Sequence, residues 1–212
     1  MNKTIMITLA SIALISAVPA HAEWYGGITA GESRTKLNGE NLSAQFLDFG
    51  YSDAQTQTDT RGTAFRVFGG YQLNRYIGVE AGYADLGKSS IRTNVVPTGT
   101  FERRIKTTGF DISVVGTLPV TDKFALFARA GAFMSERKTS FATSGDVELL
   151  AGVQGSTARQ TKATYGAGVT YDFTKNIALR AEASQTRKYA DELLSQNRNI
   201  DTYSMGVQYR FR

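Results

Sequence analysis

The sequence predicts an all-β fold, namely an eight-stranded antiparallel transmembrane up-and-down β-barrel that is preceded by a cleaved signal peptide. Three observations predict it. The chain begins with the pattern of an export signal, eight later segments alternate apolar and polar residues, and the connections between these segments alternate between short and long.

The first 22 residues have the parts of a secretory signal peptide. Lys3 gives a positive start, residues 5–18 form an apolar run, and Ala20-His21-Ala22 is a small-residue cleavage site. A single membrane helix is the alternative, but the run is shorter than the roughly 20 residues that a bilayer needs, and Pro19 follows it. We therefore predict a signal peptide at 1–22 and one barrel domain at 23–212.

Eight strands follow from period-two alternation, in which every second residue is apolar and none of these residues is charged. In chain order the segments are 24–30, 65–73, 77–83, 110–118, 124–134, 165–173, 177–183 and 203–211. Short turns are predicted at 74–75, 120–123 and 174–176, and long polar loops at 35–61, 89–104, 137–162 and 188–200. Short periplasmic turns and long outer loops are typical of outer-membrane barrels.

The interleaved residues of these strands decide which face points inward. They are small, polar or charged, and glycine recurs among them in six of the eight strands. A soluble barrel such as a lipocalin would place its apolar row inside, whereas a membrane barrel places that row in lipid. A narrow lumen is crowded and suits glycine, so we predict that the interleaved row faces inward and the apolar row faces lipid. A charge on the lipid face at the bilayer midplane would cost about 2–4 kcal/mol, and the apolar row has none.

Aromatic residues gather near the predicted strand ends, where membrane interfaces would lie. At the periplasmic ends these are Trp24, Tyr71, Tyr76, Phe124, Tyr171, Phe173, Tyr209 and Phe211, and at the outer ends they are Tyr83, Phe110, Tyr165 and Tyr203. This placement favours interfacial girdles over the ordinary enrichment of aromatic residues in strands.

Composition excludes several chemistries. The chain has no Cys, and its one His, His21, lies in the predicted signal peptide. Thiol nucleophiles, histidine acid–base pairs and the usual zinc ligands are therefore absent from residues 23–212. Without Lys3 the 24 basic residues become 23 against 19 acidic ones, a net charge of about +4. We predict no enzyme, no cofactor and no metal site, and nucleic acid is a poor partner for an exported chain.

Several motifs resemble the OmpA-like transmembrane β-barrel family of Gram-negative outer membranes. The residues that carry the resemblance are Trp24-Tyr25-x-Gly-x-x-x-Gly, Phe68-Gly69-Gly70-Tyr71-Gln72-Leu73-Asn74, Val79-Glu80-Ala81-Gly82-Tyr83, Leu86-Gly87, Leu118-Pro119-Val120-Thr121-Asp122 and Gly206-Val207-x-Tyr209-Arg210-Phe211. The resemblance covers nearly all of residues 23–212 and implies a location in the outer membrane. It also leads us to expect that the peptidoglycan-binding domain of many relatives is lacking.

In this family, the resemblance implies, the lumen is closed by acidic and basic side chains. Glu80 and Arg180 match that pattern, while Thr29, Val115 and Thr170 stand where relatives often carry charges. From the inward rows we predict a buried salt-bridge network of Arg66, Glu80, Asp111, Arg129, Arg180 and Glu182. Three interpretations stay open: a structural plug, which we favour because eight strands leave little interior space, an ion gate, and acid–base catalysis.

A second basic group lies at or beyond the outer strand ends. Its members are Arg34, Lys36, Lys88, Arg103, Arg104, Lys106, Arg137, Lys138, Arg187 and Lys188. The outer leaflet there is lipopolysaccharide, whose phosphates pair well with Arg and Lys. A lipopolysaccharide-binding collar and a merely solvated rim fit the sequence about equally well.

The function that the sequence predicts is a structural and surface-interaction role: support of the outer membrane, display of loops, contact with lipopolysaccharide, or adhesion. A narrow, low-conductance pore for ions or small solutes is the alternative. The expected partners are outer-membrane lipid and lipopolysaccharide, the barrel assembly machinery during biogenesis, and a surface ligand at the loops. We expect a monomer.

Overall fold

The computed structural model describes residues 23–35, 54–59, 61–95, 99–145, 155–191 and 196–211, all of them strands and short connections. The strands are β1 (Glu23–Thr35), β2 (Ala54–Asp59), β3 (Arg61–Gln72), β4 (Ile77–Val95), β5 (Gly99–Pro119), β6 (Phe124–Gly145), β7 (Ser156–Asp172), β8 (Ile177–Asp191) and β9 (Gln196–Phe211). The predicted signal peptide, Lys36 and Arg212 lie outside the described residues. No helix in the described ranges is long and apolar enough to cross a membrane.

The strands close into an antiparallel barrel. Each strand from β3 to β8 pairs with the next strand along the chain, and β1 closes the cylinder by pairing with both β3 and β9. The short β2 pairs with residues 90–95 of β4, above the part of β4 that pairs with β3, so β2 and β3 together occupy one place in the wall. The predicted eight-stranded barrel is therefore confirmed.

Strand alternation sets the two faces as the sequence predicts. On the apolar row, Val67, Leu126 and Val207 are 45%, 41% and 43% exposed on the outer surface. On the interleaved row, Glu80 and Arg180 are 2% and 3% exposed in the interior. Since apolar side chains cover the wall and charged ones fill its centre, the barrel has the surface that a bilayer requires.

Inward glycines provide the space that the lumen needs. A Cβ atom on Gly27 would lie 2.6 Å from the ring of Phe68, and one on Gly168 would lie 2.6 Å from the ring of Phe127. By contrast, a Cβ on the outward Gly69 would meet nothing nearer than a backbone oxygen at 3.9 Å. The interior is therefore packed against glycine backbone, as the glycine pattern predicts.

The three short turns lie where the sequence predicts them and share one device. In each, a side-chain oxygen at the second turn position accepts a hydrogen bond from the first amide of the next strand. Asn74 Oδ1 accepts from Ile77 N at 2.9 Å, Thr121 Oγ1 from Phe124 N at 3.0 Å, and Thr174 Oγ1 from Ile177 N at 2.9 Å. Such side-chain acceptors stabilise tight reversals of the chain.

The predicted long loops are wrong in extent. Much of 89–104, 137–162 and 188–200 is paired strand, so that β5 and β6 reach 21 and 22 residues, about twice the 9–11 that cross a bilayer. Beyond the lipid the outer strand face meets water instead of acyl chains, so the apolar alternation ends although backbone pairing continues. Of the predicted loop 35–61, residues 54–59 form β2, and 36–53 lie outside the described residues.

Aromatic rings line both ends of the outer surface. At the end that carries the short turns, the rings of Trp24 and Tyr71 are tilted against each other with centroids 4.9 Å apart. At the other end, Tyr83 and Phe110 meet edge to face at 5.1 Å. Rings that face outward at the two ends of an apolar band match the interfacial girdles of membrane barrels.

Placing a charge in the apolar band should destabilise the barrel. We expect Val67→Arg to lower the free energy of unfolding by about 2–4 kcal/mol, because the guanidinium would lie within the apolar band of β3. Thr63→Arg, on the same face of β3 but nearer its outer end, should change it by about 1 kcal/mol or less. Urea titration of both variants in phospholipid vesicles measures the difference, and equal effects would contradict this placement of the membrane.

Candidate functional site: a closed lumen and a charged outer rim

The six predicted lumen residues form a closed cycle in which basic and acidic side chains alternate. The N–O distances are 3.2 Å for Arg66–Glu80, 2.7 Å for Arg66–Asp111, 3.4 Å for Arg129–Asp111, 2.5 Å for Arg129–Glu182, 2.9 Å for Arg180–Glu182 and 2.6 Å for Arg180–Glu80. Each residue therefore bridges two partners of opposite sign. We call this set the charge ring.

The charge ring joins strands from around the barrel. Its members come from β3, β4, β5, β6 and β8. From β1, the hydroxyl of Tyr25 donates a hydrogen bond to Glu80 Oε1 at 3.1 Å, and from β9, Gln208 Oε1 accepts one from Arg180 at 3.4 Å. Tyr25 and Gln208 lie on inward rows of the sequence, but the alternation gave no signal that they belong to the network.

Strand β7 contributes space to the charge ring. A Cβ on Gly166 would lie 3.2 Å from Glu182 Oε1, and one on Gly168 would collide with the ring of Phe127. Any side chain at these two positions would therefore displace a member of the network or the aromatic ring beside it.

Two phenylalanine rings enclose the arginines. The guanidinium of Arg180 lies 4.6 Å from the centroid of Phe68 and 4.1 Å from that of Phe127, and Arg66 lies 4.7 Å from Phe68. A desolvated guanidinium on an aromatic face gains cation–π energy. Phe68 and Phe127 are buried on the inward rows of β3 and β6, where they fill the lumen and also hold the arginines in place.

The charge ring divides the lumen. Its members are between 2% and 7% exposed, and its three positive charges balance its three negative ones. On the side of the short turns, which we expect to be periplasmic, a cavity of about 780 Å³ reaches Glu80 and Arg180, whereas a cavity on the opposite side, which Arg66 and Asp111 line, is about 30 Å³. Within the larger cavity Arg210 pairs with Asp172 at 2.7 Å. The arrangement closes the barrel just above a water-accessible vestibule.

The structure divides the predicted basic collar between two faces. Arg34, Lys88, Arg104, Lys106, Lys138 and Arg187 lie on the outer surface. Arg103 is 5% exposed on the inner face of β5, and Arg137 lies on the inward row of β6 between Ser135 and Thr139, which are both buried. The prediction that Arg103 and Arg137 belong to the outward collar is therefore wrong. The strands continue past the lipid, and their side chains still alternate between the inner and the outer face. Lys36 and the side chain of Lys188 lie outside the described residues.

Most outward cations of the rim are paired with an acid. Glu32 lies 2.7 Å from Arg34, Glu102 lies 2.6 Å from Arg104, and Asp85 lies 3.0 Å from Lys106. Glu136 lies 3.3 Å from Lys138 and 3.1 Å from Arg159. Sequence reasoning missed these acids, although three of them stand two residues before a cation (Glu32–Arg34, Glu102–Arg104 and Glu136–Lys138) and so share its face.

These rim contacts shift the ionisation of their partners. Side-chain hydrogen bonds from Arg159 and Lys138 lower the pKa of Glu136 below its ordinary value. The hydrogen bond to Asp85, together with the charge of that carboxylate, raises the pKa of Lys106. Both contacts are solvent-exposed, so their main effect is to orient the cations rather than to stabilise the fold.

In the described part of the chain no group of three or more His, Cys, Asp or Glu side chains is arranged to hold a metal ion. The charge ring and the outward rim are therefore the two candidate functional features.

A family model described as the OmpA-like transmembrane domain matches residues 19–212. Outer membrane protein A of Shigella flexneri is 27% identical over 216 residues, which cover 100% of this chain and 56% of the relative. The counterpart from Klebsiella pneumoniae is 27% identical over 208 residues, 95% of this chain and 54% of its own length. The chain thus spans about half the length of these relatives.

Solved outer-membrane proteins share the fold at low identity. Ail of Yersinia pestis, in complex with the heparin analogue sucrose octasulfate, has a TM-score of 0.52 at 16% identity and covers 90% of this chain and 99% of its own. Neisserial surface protein A has a TM-score of 0.52 at 15% identity, with 89% and 97% covered. OprG from Pseudomonas aeruginosa has a TM-score of 0.51 at 14% identity, with 91% and 97% covered.

Removing one member of the charge ring should be costly. We expect Arg180→Ala to lower the free energy of unfolding by about 3–5 kcal/mol, because Glu80 and Glu182 would each lose one of two buried partners. Arg210→Ala breaks the half-buried pair with Asp172 and should cost about 1 kcal/mol or less. Guanidinium titrations in detergent micelles compare the two variants, and a similar loss in both would contradict a dominant role for the ring.

Proposed function

Since the chain belongs to the OmpA-like transmembrane domain family of outer-membrane barrels, we propose that it is a closed barrel with a structural and surface-interaction role. It supports the outer membrane and presents its outer rim and loops to the environment. We also propose that residues 1–22 are the signal peptide that directs export, and that the barrel assembly machinery inserts residues 23–212 as a monomer.

The observation that carries this proposal is the charge ring. Its six side chains are buried, fully alternated in sign and enclosed by Phe68 and Phe127. An open aqueous channel would leave charged side chains hydrated and separated, whereas these are dehydrated and in contact. This geometry supports a plug that holds the wall together.

The rim supports contact with lipopolysaccharide. Lys88 and Lys106 lie beyond the girdle residues Tyr83 and Phe110 toward the outer ends of β4 and β5, and Arg34 and Arg187 lie over the outer rings of Tyr203 and Tyr165. Headgroups of the outer leaflet are expected beyond such a girdle. Lys and Arg bind phosphate through charge-assisted hydrogen bonds. Adhesion through the loops is a variant of the same surface role, and comparing the binding of whole cells to host surfaces before and after deletion of the two longest loops would test it.

A catalytic role has little support. Residues 23–212 contain neither His nor Cys, and the charge ring satisfies its own carboxylates with arginines rather than presenting them to a substrate. Acid–base chemistry needs a group that can reach a substrate and exchange a proton with it. We therefore propose that the protein is not an enzyme.

A narrow pore is the second candidate function, and the periplasmic vestibule favours it. This cavity of about 780 Å³ reaches Glu80 and Arg180, so one layer of side chains separates it from the outer half of the lumen. Rearrangement of the charge ring would connect the two sides.

Planar-bilayer recordings distinguish the two functions. We expect the unmodified protein to give no stable conductance steps, because the charge ring blocks the lumen. The double variant Glu80→Ala, Arg180→Ala, which removes one acid and one base and so keeps the charge balanced, should open discrete steps. Asp172→Ala with Arg210→Ala, a balanced pair below the ring, is the control and should stay silent. Regular steps from the unmodified protein would favour the pore.

A further inference from the structure

Three lysines stand side by side on the outer surface, on three neighbouring strands. Lys88 of β4 is directly opposite Lys106 of β5, and Lys106 is directly opposite Lys138 of β6. All three side chains project from the outer face of the wall, where Lys106 is 44% and Lys138 is 67% exposed. We call this row the lysine rung.

A β-bulge places the first of these lysines in the row. The register of β4 against β5 shifts between Asp85, which pairs with Thr108, and Lys88, which pairs with Lys106. In an unshifted ladder residue 88 would be opposite Ile105 and would point into the barrel. Gly87 makes the shift possible at a φ of 79°, and its amide donates a hydrogen bond to Asp85 Oδ1 at 2.9 Å. The bulge thus turns Lys88 to the outer face.

Like charges directly opposite each other destabilise a sheet, so the lysine rung needs an explanation. Two acids lie in the row beneath it: Asp85 contacts Lys106, and Glu136 contacts both Lys138 and Arg159. Four cations against two acids leave this patch with a net charge of +2. A bound anion would supply the missing negative charge.

An external groove lies directly beneath the rung. Its volume is about 490 Å³, and its lower wall is formed by Tyr83, Phe110 and Met134, which lie opposite one another across β4, β5 and β6. Its upper wall includes Glu136 and Arg159. From the membrane outward, this face therefore presents three successive rows. The first is the apolar row of the groove, the second contains the acids Asp85 and Glu136, and the third is the lysine rung.

We propose that this face is a binding site for one molecule of lipopolysaccharide, the phosphorylated glycolipid of the outer leaflet. A phosphate lies against Lys88, Lys106 and Lys138, and an acyl chain follows the groove along Phe110 and Met134. The match between an apolar floor and a cationic upper edge selects an amphiphile over a free anion. The inference rests on the proposed contact with lipopolysaccharide and assigns that contact to one face.

The other outward cations offer a matched comparison. Arg34 and Arg61 are also opposite each other, but Glu32 lies between them at 2.7 and 3.6 Å, so that pair has a net charge of +1. Arg187 stacks over the ring of Tyr165 at 5.5 Å. These three arginines carry the same total charge as the lysine rung and lie on β1, β3 and β8 rather than on β4, β5 and β6.

The test compares two triple variants that remove equal charge. Lys88→Gln, Lys106→Gln, Lys138→Gln and the control Arg34→Gln, Arg61→Gln, Arg187→Gln are placed in phosphatidylcholine nanodiscs and titrated with fluorescent lipopolysaccharide. We expect the lysine variant to bind about tenfold to hundredfold more weakly than the unmodified protein, as removal of three cations near an anionic surface implies. The control should change by less than about threefold. A gel comparing boiled and unboiled samples checks that each variant is folded.

The outcomes separate this inference from the broader proposal. Equal losses in both triple variants would overturn a single site and leave a diffuse contact with lipopolysaccharide in place. No loss in either variant would overturn both. Dephosphorylated lipopolysaccharide should bind the unmodified protein and the lysine variant equally, and a preference for the unmodified protein would overturn the role of phosphate. Displacement by millimolar inorganic pyrophosphate as effectively as by unlabelled lipopolysaccharide would show a free-anion site and overturn the acyl contact.

Discussion

The structure depends on one electrostatic constraint: charges inside a narrow barrel must satisfy each other. The charge ring meets it with six side chains in a closed cycle, so that no member stands at an end with a single partner. A buried ion pair gains only when its attraction and hydrogen bonds offset the loss of hydration. A cycle does this better than isolated pairs, because every arginine meets a carboxylate on two sides.

The packing around the ring follows from this constraint. Arg180 reaches both Glu80 and Glu182, and the rings of Phe68 and Phe127 pack against its guanidinium. The phenylalanines in turn need space that only glycine leaves, as at Gly27 and Gly168. The inward glycines of the sequence are therefore the complement of the aromatic and charged side chains opposite them.

The fold within the lipid could be predicted from the sequence because lipid imposes a rule on every second residue. The same alternation placed the six residues of the charge ring on inward rows. It could not give the order of pairing, or the participation of Tyr25 and Gln208, because these depend on barrel stagger rather than on strand pattern. Beyond the lipid the rule ends, which is why the strand extensions and the inward placement of Arg103 and Arg137 were not predicted.

The two charged features differ because their surroundings differ. The charge ring is buried among packed side chains, so its three positive charges are balanced by three negative ones within the ring itself. On the outer rim the leaflet itself supplies anions, so an excess of cations is tolerated there and gains a partner. A single shift of register decides which face Lys88 takes: unshifted it would point to the same inner face as Arg103, and turned outward by the bulge at Gly87 it joins Lys106 and Lys138. The bulge therefore completes the cationic face.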